Sequence, residues 1–201
     1  IPPVTAPAWT SFFTGKNPGK HGIYDFIALD TEKFSLSYLN SENCKSETLW
    51  DILSRHNKKV CVINVPMTYP PHSVNGILIT GMMTPGLDSK FVYPPELQRE
   101  IIEKFPEYTI STPVGSNMDE YAISLKKTVH NRTELAKYLL NKQKWDFFML
   151  VFNATDLVQH QFWSEMNNPS SKHKNTILEV YQIVDKKIGE LRSMLEEDTL
   201  F

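Results

Sequence analysis

Cysteine is scarce in this chain of 201 residues, which contains only Cys44 and Cys61. Two cysteines that stand so far apart are too few for a disulfide framework and do not have the spacing of a structural zinc site. Small secreted proteins depend on such frameworks, whereas cytosolic proteins do not. We therefore expect a cytoplasmic protein.

An excess of charge of one sign is also lacking. The chain has 21 Lys and Arg residues against 23 Asp and Glu residues, which gives a net charge of −2. This balance provides no general attraction to a nucleic-acid backbone or to an anionic membrane surface. The longest apolar run, at 147–152, is far shorter than the roughly 20 residues that cross a bilayer. We predict a partner that is neither nucleic acid nor membrane, and the oligomeric state is left open.

Three apolar runs predict the fold class. They are KVCVINV at 59–65, GILIT at 76–80 and WDFFMLVF at 145–152. Continuous apolar runs are typical of strands that are covered on both faces, as in a parallel sheet. Helical patterns occur between and after the runs, at 46–56 with Ser46 as N-cap, at 94–105, at 119–141 and at 175–197. The sequence therefore predicts an α/β fold in which a mostly parallel sheet is sandwiched by helices.

The length suits one domain. However, the chain opens on a loop before a helix, and no apolar strand precedes this loop as it normally would in an α/β protein. We therefore expect residues 1–201 to be a single, incomplete α/β domain from a longer protein. Residues 82–114 lie between strand patterns, and we predict that they form a cap or an insertion at the edge of the sheet.

A hydroxyl residue, Thr5, stands where the opening segment predicts the start of a helix. Pro7 occupies a first-turn position that tolerates a missing N–H, and Gly15 stands where the helix would end. A helix N-terminus offers unpaired N–H groups and partial positive charge, so it favours a phosphate beside Thr5. Threonine is also a common N-cap, so these residues leave two interpretations, a helix cap and a residue of a phosphoryl-transfer site.

Asp156 and His160 follow the strongest strand pattern, in the segment NATDLVQH. In open parallel sheets, ligand sites lie beyond the carboxyl ends of strands. Residues four apart share one face of a helix, so the Asp156 carboxylate and the His160 imidazole can converge on one cation, for which Zn²⁺, Mn²⁺ or Fe is suited. The alternative is a helix-capping aspartate with a partly exposed histidine.

Taken together, these segments resemble the alkaline phosphatase superfamily, in particular its type I phosphodiesterase and nucleotide pyrophosphatase branch and the related predicted phosphohydrolases and phosphomutases. The resemblance covers most of the chain and lies in TAPAWTSFFTGKNPGKHGI, LWDILSRHNKKVCVINVPMTYPP and WDFFMLVFNATDLVQHQFW. It implies an alkaline phosphatase-like fold and two divalent metal ions, with Zn²⁺ as the first choice. It also implies that Thr5 is both nucleophile and metal ligand, and that Asp156 and His160 bind one of the two ions.

The implied activity is metal-dependent hydrolysis of phosphate mono- or diesters through a phospho-threonine intermediate, with a small phosphate ester as substrate. Nucleotide pyrophosphatases have Asn at the position of Ala8, and residues 1–201 offer no counterpart for the remaining metal ligands of the family. We therefore expect the isolated chain to be weakly active or inactive. The alternatives are a non-catalytic binding module of the same fold and a phosphomutase or phosphotransferase.

Several other polar and aromatic residues have ordinary structural interpretations. We predict that His21 belongs to a turn or supports a site residue. We predict that Asn153 hydrogen-bonds within its own loop, and the alternative for Asn153 is a contact with the substrate. Aromatic residues of the first helix are predicted to lie in the core, and histidines in polar stretches to be solvated. The former are Trp9, Phe12 and Phe13, and the latter are His72, His130 and His173.

Overall fold

The structure is a computed structural model that describes residues 2–30, 32 and 34–201. In chain order, its helices and strands are α1 (Thr5–Thr14), α2 (Pro18–His21), β1 (Ile27–Asp30), β2 (Ser35–Tyr38), a 3₁₀ turn (Ser41–Asn43), α3 (Leu49–Arg55), β3 (Val60–Val65), β4 (Gly76–Thr80), β5 (Val92–Tyr93), α4 (Glu96–Lys104), α5 (Met118–Leu140), β6 (Phe147–Leu150), α6 (Ala154–Met166) and α7 (Thr176–Arg192).

The chain divides into two compact units. The first comprises Ile1–Glu103 and Gln143–Val151, and the second comprises Lys104–Lys142 and Phe152–Phe201. The first unit therefore contains both sheets, and the second contains α5, α6 and α7. The organisation of residues 1–201 as one incomplete domain stays a prediction.

The main sheet of the first unit has four strands in the order β5-β4-β3-β6. β3 is parallel to both β4 and β6, whereas β5 is antiparallel to β4. Every residue of β3 is buried, as expected for a central strand that is covered on both faces. The predicted α/β class with a mostly parallel sheet is thus confirmed. Within residues 82–114, β5 adds an edge strand to this sheet, and a capping role for the segment stays a prediction.

The segment that leaves β4 passes very close to the end of β3. A Cβ atom at Gly81 would lie 2.4 Å from the carbonyl oxygens of both Asn64 and Val65. Asn64 has a positive φ of 60°, and the register between β3 and β4 shifts between Ile63 and Val65. A glycine is required at 81 because no side chain fits against this bulge.

α1 packs one of its faces into the core of the first unit. Ala6 and Phe13 are buried, and the Phe13 ring lies 5.0 Å from the ring of Trp50 on α3. Trp9 is partly buried against the same core, but Phe12 is 66% exposed, so its predicted place in the core is wrong. Adjacent residues of a helix point about 100° apart, and α1 buries only the face that carries Phe13.

α3 begins later than the sequence pattern predicts. Its N-cap is Thr48, whose side chain accepts a hydrogen bond from Asp51 N–H, while the Asp51 carboxylate accepts from Thr48 N–H in return. Ser46, the predicted cap, lies outside the helix and donates from Oγ to the Lys20 carbonyl oxygen. The reciprocal pair satisfies two helix-terminal N–H groups at once, which a single serine cannot do.

The second unit is a helical layer with its own apolar core. Residues from α5, α6 and α7 contribute Leu125, Val129, Val158, Phe162 and Val180, all nearly inaccessible. His173 packs its ring 5.3 Å from that of Phe162 and is 8% exposed, so the prediction that it is solvated is wrong. Its Nε2 lies 3.2 Å from Oδ1 of Asp119, a neighbour that the local polar sequence does not reveal.

Candidate active site

Thr5 is the first residue of α1 and not its cap. Val4 occupies the N-cap position with extended dihedral angles and forms no side-chain cap bond. The Thr5 side chain is partly buried, and its hydroxyl has no hydrogen-bond partner among residues 2–30, 32 and 34–201. The interpretation of Thr5 as the N-cap of the helix is therefore not supported by the structure.

The first turn of α1 carries the electrostatic features that favour an anion. The first helical hydrogen bond runs from Ala8 N–H to the Val4 carbonyl oxygen, so the Thr5 and Ala6 N–H groups precede it. Pro7 contributes no N–H, and the turn TAPA contains no acidic residue. The positive end of the helix dipole at Thr5 is therefore not offset by a carboxylate within the turn.

His21 holds the end of α2 against α1. Its Nδ1 accepts from the Ile23 N–H at 3.1 Å, so its Nε2 carries the proton and donates to Oγ of Ser11 at 3.0 Å. The side chain is inaccessible, and burial lowers the pKa of His21. His21 is itself the last residue of α2, and the chain turns only at the next residue, Gly22, whose backbone lies in the left-handed region.

Asp156 and His160 lie on one face of α6, as their spacing predicts. Oδ1 of Asp156 and Nε2 of His160 are 3.5 Å apart, and their side chains are 59% and 77% exposed. Two ligands at about 2.1 Å from a tetrahedral Zn²⁺ are separated by roughly 3.4 Å, so this pair fits two positions of such a site. Within the described residues, no group of three or more His, Cys, Asp or Glu side chains could hold a metal ion.

The residue before α6 has a partner that the sequence did not predict. Asn153 Oδ1 accepts a hydrogen bond from Nη1 of Arg132 at 2.8 Å, so the expected bond within its own loop is wrong. Arg132 belongs to α5 and is 2% exposed, and its Nη2 donates to the Ile110 carbonyl oxygen at 2.9 Å. Burial lowers the pKa of Arg132 from its usual value.

Sequence reasoning missed Arg132, although the pattern of α5 contains a signal. Leu125, Val129, Arg132, Ala136 and Leu139 recur at spacings of three and four, and all five are buried. A charged residue within an apolar stripe faces the core, where it requires hydrogen-bond partners. Such an arginine is a candidate for holding another polar side chain in place.

A family model described as type I phosphodiesterase / nucleotide pyrophosphatase matches residues 1–201. The chain belongs to this family. No curated protein and no solved structure matches it. Membership in this family, which is part of the alkaline phosphatase superfamily, confirms the resemblance found in the sequence and indicates phosphodiesterase- or pyrophosphatase-type hydrolysis of phosphoesters.

In this type I phosphodiesterase family member, the first unit also contains a cavity of about 260 Å³. Asp51 and His72 line it, with Oδ1 of Asp51 2.7 Å from Nε2 of His72. Burial opposes ionisation of Asp51, but the hydrogen bonds from His72 and Thr48 outweigh it and lower the pKa of Asp51. His72 is therefore a partner of Asp51 whose side chain remains 38% exposed, so it is paired and also partly solvated. His130 is exposed, as predicted.

No helix in the described part of this family member is long and apolar enough to cross a membrane. The cytoplasmic location and the lack of a nucleic-acid partner, both inferred from composition, stay predictions.

Proposed function

We propose that this protein hydrolyses a small phosphate mono- or diester through attack of the Thr5 hydroxyl on phosphorus. The observation that carries the proposal is the placement of Thr5 at the first position of α1, where Val4 occupies the N-cap position and the Thr5 hydroxyl has no described hydrogen-bond partner. A residue of this type at a helix N-terminus meets an incoming phosphate at the positive end of the dipole.

The reaction proceeds in two displacements. First, Thr5 Oγ forms a bond to phosphorus, the bond from phosphorus to the leaving oxygen breaks, and the hydroxyl proton passes to solvent or to the leaving group. Water then attacks the phospho-threonine, the bond between phosphorus and Thr5 Oγ breaks, and Thr5 regains a proton. The products are the leaving alcohol and a phosphate carrying the remaining substituents.

Two features of α1 contribute to this scheme, its first-turn N–H groups and a side-chain hydrogen bond that holds it. The N–H groups of the first turn stabilise negative charge that develops on the non-bridging phosphate oxygens. The His21 to Ser11 hydrogen bond holds α1, so the nucleophile is oriented before the substrate arrives.

Asp156 and His160 are the residues proposed to hold a divalent cation, and Thr5 is proposed as a further ligand. The separation of 3.5 Å between Oδ1 of Asp156 and Nε2 of His160 supports this assignment for the pair. When bound, two such cations, with Zn²⁺ as the first choice, would supply Lewis acidity that lowers the pKa of a coordinated hydroxyl and neutralises charge on phosphate.

Substitution of Thr5 tests the proposal directly. In the full-length protein, Thr5→Val keeps the shape of the residue but removes the hydroxyl, and we expect kcat to fall by about 10³-fold or more. Thr5→Ser should retain measurable turnover, and Ser35→Ala, at an exposed position of β2, should leave the rate unchanged. Wild-type turnover by Thr5→Val would overturn the proposal.

The intermediate and the substrate class can be read in the same experiments. Acid quenching during turnover, followed by mass spectrometry of the peptide containing Thr5, should detect phospho-threonine. Comparing phosphate monoesters, phosphate diesters and nucleotide pyrophosphates then identifies the preferred leaving group. Transfer of phosphate to an added alcohol in preference to water would assign a phosphotransferase instead of a hydrolase.

A further inference from the structure

The Asn153 side chain does not have the role that its position favours. Asparagine directly before a helix commonly accepts a hydrogen bond from the first turn. Asn153 directly precedes α6, but its backbone is helical, with φ −83° and ψ −2°, and its side chain forms no cap bond. The side chain hydrogen-bonds to another partner and therefore does not cap α6.

That partner fixes which way the amide group faces. Arg132 can only donate hydrogen bonds, so the atom of Asn153 that meets Nη1 at 2.8 Å must be the oxygen Oδ1. The amide nitrogen Nδ2 is bonded to the same carbon and faces away from the guanidinium. Within the part of the chain that the structure describes, Nδ2 has no hydrogen-bond partner, and Asn153 is partly exposed.

Arg132 provides a rigid support for this orientation. Its side chain is 2% exposed, and a second hydrogen bond joins Nη2 to the Ile110 carbonyl oxygen at 2.9 Å. A hydrogen bond from a charged donor is stronger than a neutral one, and it polarises the amide so that Nδ2–H becomes a better donor. The two Nδ2 protons are thus preorganised toward an acceptor that the described residues do not supply.

The chain position of Asn153 indicates what this acceptor is. Asn153 stands three residues before Asp156, which lies in the first turn of α6. In the function proposed above, on which this inference rests, Asp156 holds a cation beside the phosphoryl group. We infer that Asn153 Nδ2 donates to a non-bridging phosphate oxygen of the substrate, and that Arg132 is a positioning residue that orients Asn153.

Asn153→Asp separates this role from a purely structural one. The aspartate keeps an oxygen for Arg132, so the fold should survive and the thermal midpoint should stay within a few degrees of wild type. It replaces the amide donor with an acceptor, and kcat/KM for phosphate esters should fall by about 10² to 10³-fold in the full-length protein. The inhibition constant for inorganic phosphate should rise as well.

Asn153→Ala serves as the matched variant without an added charge, and we expect a similar loss of kcat/KM. If Asn153 only maintained structure, Asn153→Asp would have wild-type activity. A kcat/KM and a phosphate inhibition constant within twofold of wild type in both variants would overturn the inference.

Arg132→Lys tests the positioning role. It retains a cation but loses the planar fork, so we expect an intermediate loss of kcat/KM in the single variant. When Arg132→Lys is combined with Asn153→Ala, it should cause no further loss, because its effect passes through Asn153. If Arg132→Lys lowers kcat/KM equally in the wild type and in Asn153→Ala, the positioning role is contradicted. If Arg132→Lys fails to fold, the variants Asn153→Asp and Asn153→Ala still test whether Asn153 is a hydrogen-bond donor to phosphate.

The Thr5→Val variant distinguishes the two possible failures. Full activity in Thr5→Val would refute the proposed nucleophile whatever the Asn153 variants show. An inactive Thr5→Val protein together with a fully active Asn153→Asp protein would refute only the role assigned to Asn153.

Discussion

His21 Nε2 lies 3.0 Å from Oγ of Ser11, and this hydrogen bond joins the end of α2 to the middle of α1. Both side chains are buried, and the second ring nitrogen of His21 accepts from the Ile23 N–H. The helix that begins with Thr5 is therefore held by a neutral histidine within the core of the first unit.

Removing His21 should destabilise the protein more than removing its partner. His21→Ala deletes a buried ring and two hydrogen bonds, and we expect a loss of about 3 kcal/mol in the free energy of unfolding. Ser11→Ala removes one bond and should cost about 1 kcal/mol. Urea titration at pH 7.5 measures both values, and equal losses would argue against a central role for the His21 ring.

The stability contributed by His21 should depend on pH. Because burial lowers the pKa of the folded ring, the unfolded chain takes up a proton below a pH of about 6.5 while the folded protein does not. The contribution is complete above that pH and is lost as the pH falls towards the pKa of the folded ring. Urea titrations between pH 7.5 and 5 should show a weaker dependence in His21→Ala than in His130→Ala, an exposed control.

The cap of α3 should be identifiable by a pair of substitutions. Thr48→Ala breaks the reciprocal bonds with Asp51 and should lower the free energy of unfolding by about 1 to 2 kcal/mol. Ser46→Ala, at the position that the sequence pattern predicted, loses only a 3.3 Å bond to the Lys20 carbonyl and should cost less than about 0.5 kcal/mol. The opposite order of losses in chemical denaturation would restore Ser46 as the cap.

Glu190 of α7 should titrate far below an ordinary glutamate. Hydrogen bonds from Lys137 and then Lys187 lower the pKa of Glu190 to about 2. Its stabilising effect should be complete above a pH of about 4.5 and be lost as the pH falls towards 2. Carboxyl chemical shifts in an NMR titration give the midpoint directly.

Two lysine variants test the cause of this shift. Lys137→Met should raise the pKa of Glu190 more than Lys187→Met does, because the bond from Lys137 is the larger contribution. A titration midpoint near 4.5 for Glu190 in the wild-type protein would show that the two lysines do not lower its pKa.

The affinity for a divalent metal ion should depend on Asp156 and His160 of α6. Asp156→Ala and His160→Ala each remove one proposed ligand, and calorimetric titration with Zn²⁺ should show affinity reduced by about tenfold or more. Asp185→Ala and His130→Ala remove exposed side chains of the same types and should leave the affinity unchanged. Zn²⁺ binding that survives both α6 substitutions would place the cation elsewhere.

Much of the fold could be predicted because its signals are local. The apolar runs of β3, β4 and β6 indicate strands of a parallel sheet, and β3 and β4 are buried as expected. β6 lies at the edge of the sheet and is only partly buried, whereas Gly15 ends α1 in the left-handed region as expected. The spacing of Asp156 and His160 also brings their side chains to one helix face, because that relationship depends only on the helical repeat.

The errors have a common physical cause. The predictions for His173 and Asn153 rest on their neighbours in sequence, whereas their environments depend on residues distant in the chain. His173 is buried by Phe162 and meets Asp119, and Asn153 is held by Arg132. The apolar stripe of α5 indicates that Arg132 is buried, but no local pattern identifies the residue that it contacts.

Periodicity and contiguous motifs were enough to predict the α/β class, the family resemblance and the candidates Thr5, Asp156 and His160. Packing of the whole chain was needed to show that Val4, and not Thr5, occupies the cap position of α1, and that Arg132 donates a hydrogen bond to Oδ1 of Asn153. Helical periodicity places residues on faces of one element, but the direction of a hydrogen bond between elements is set by how the whole chain packs.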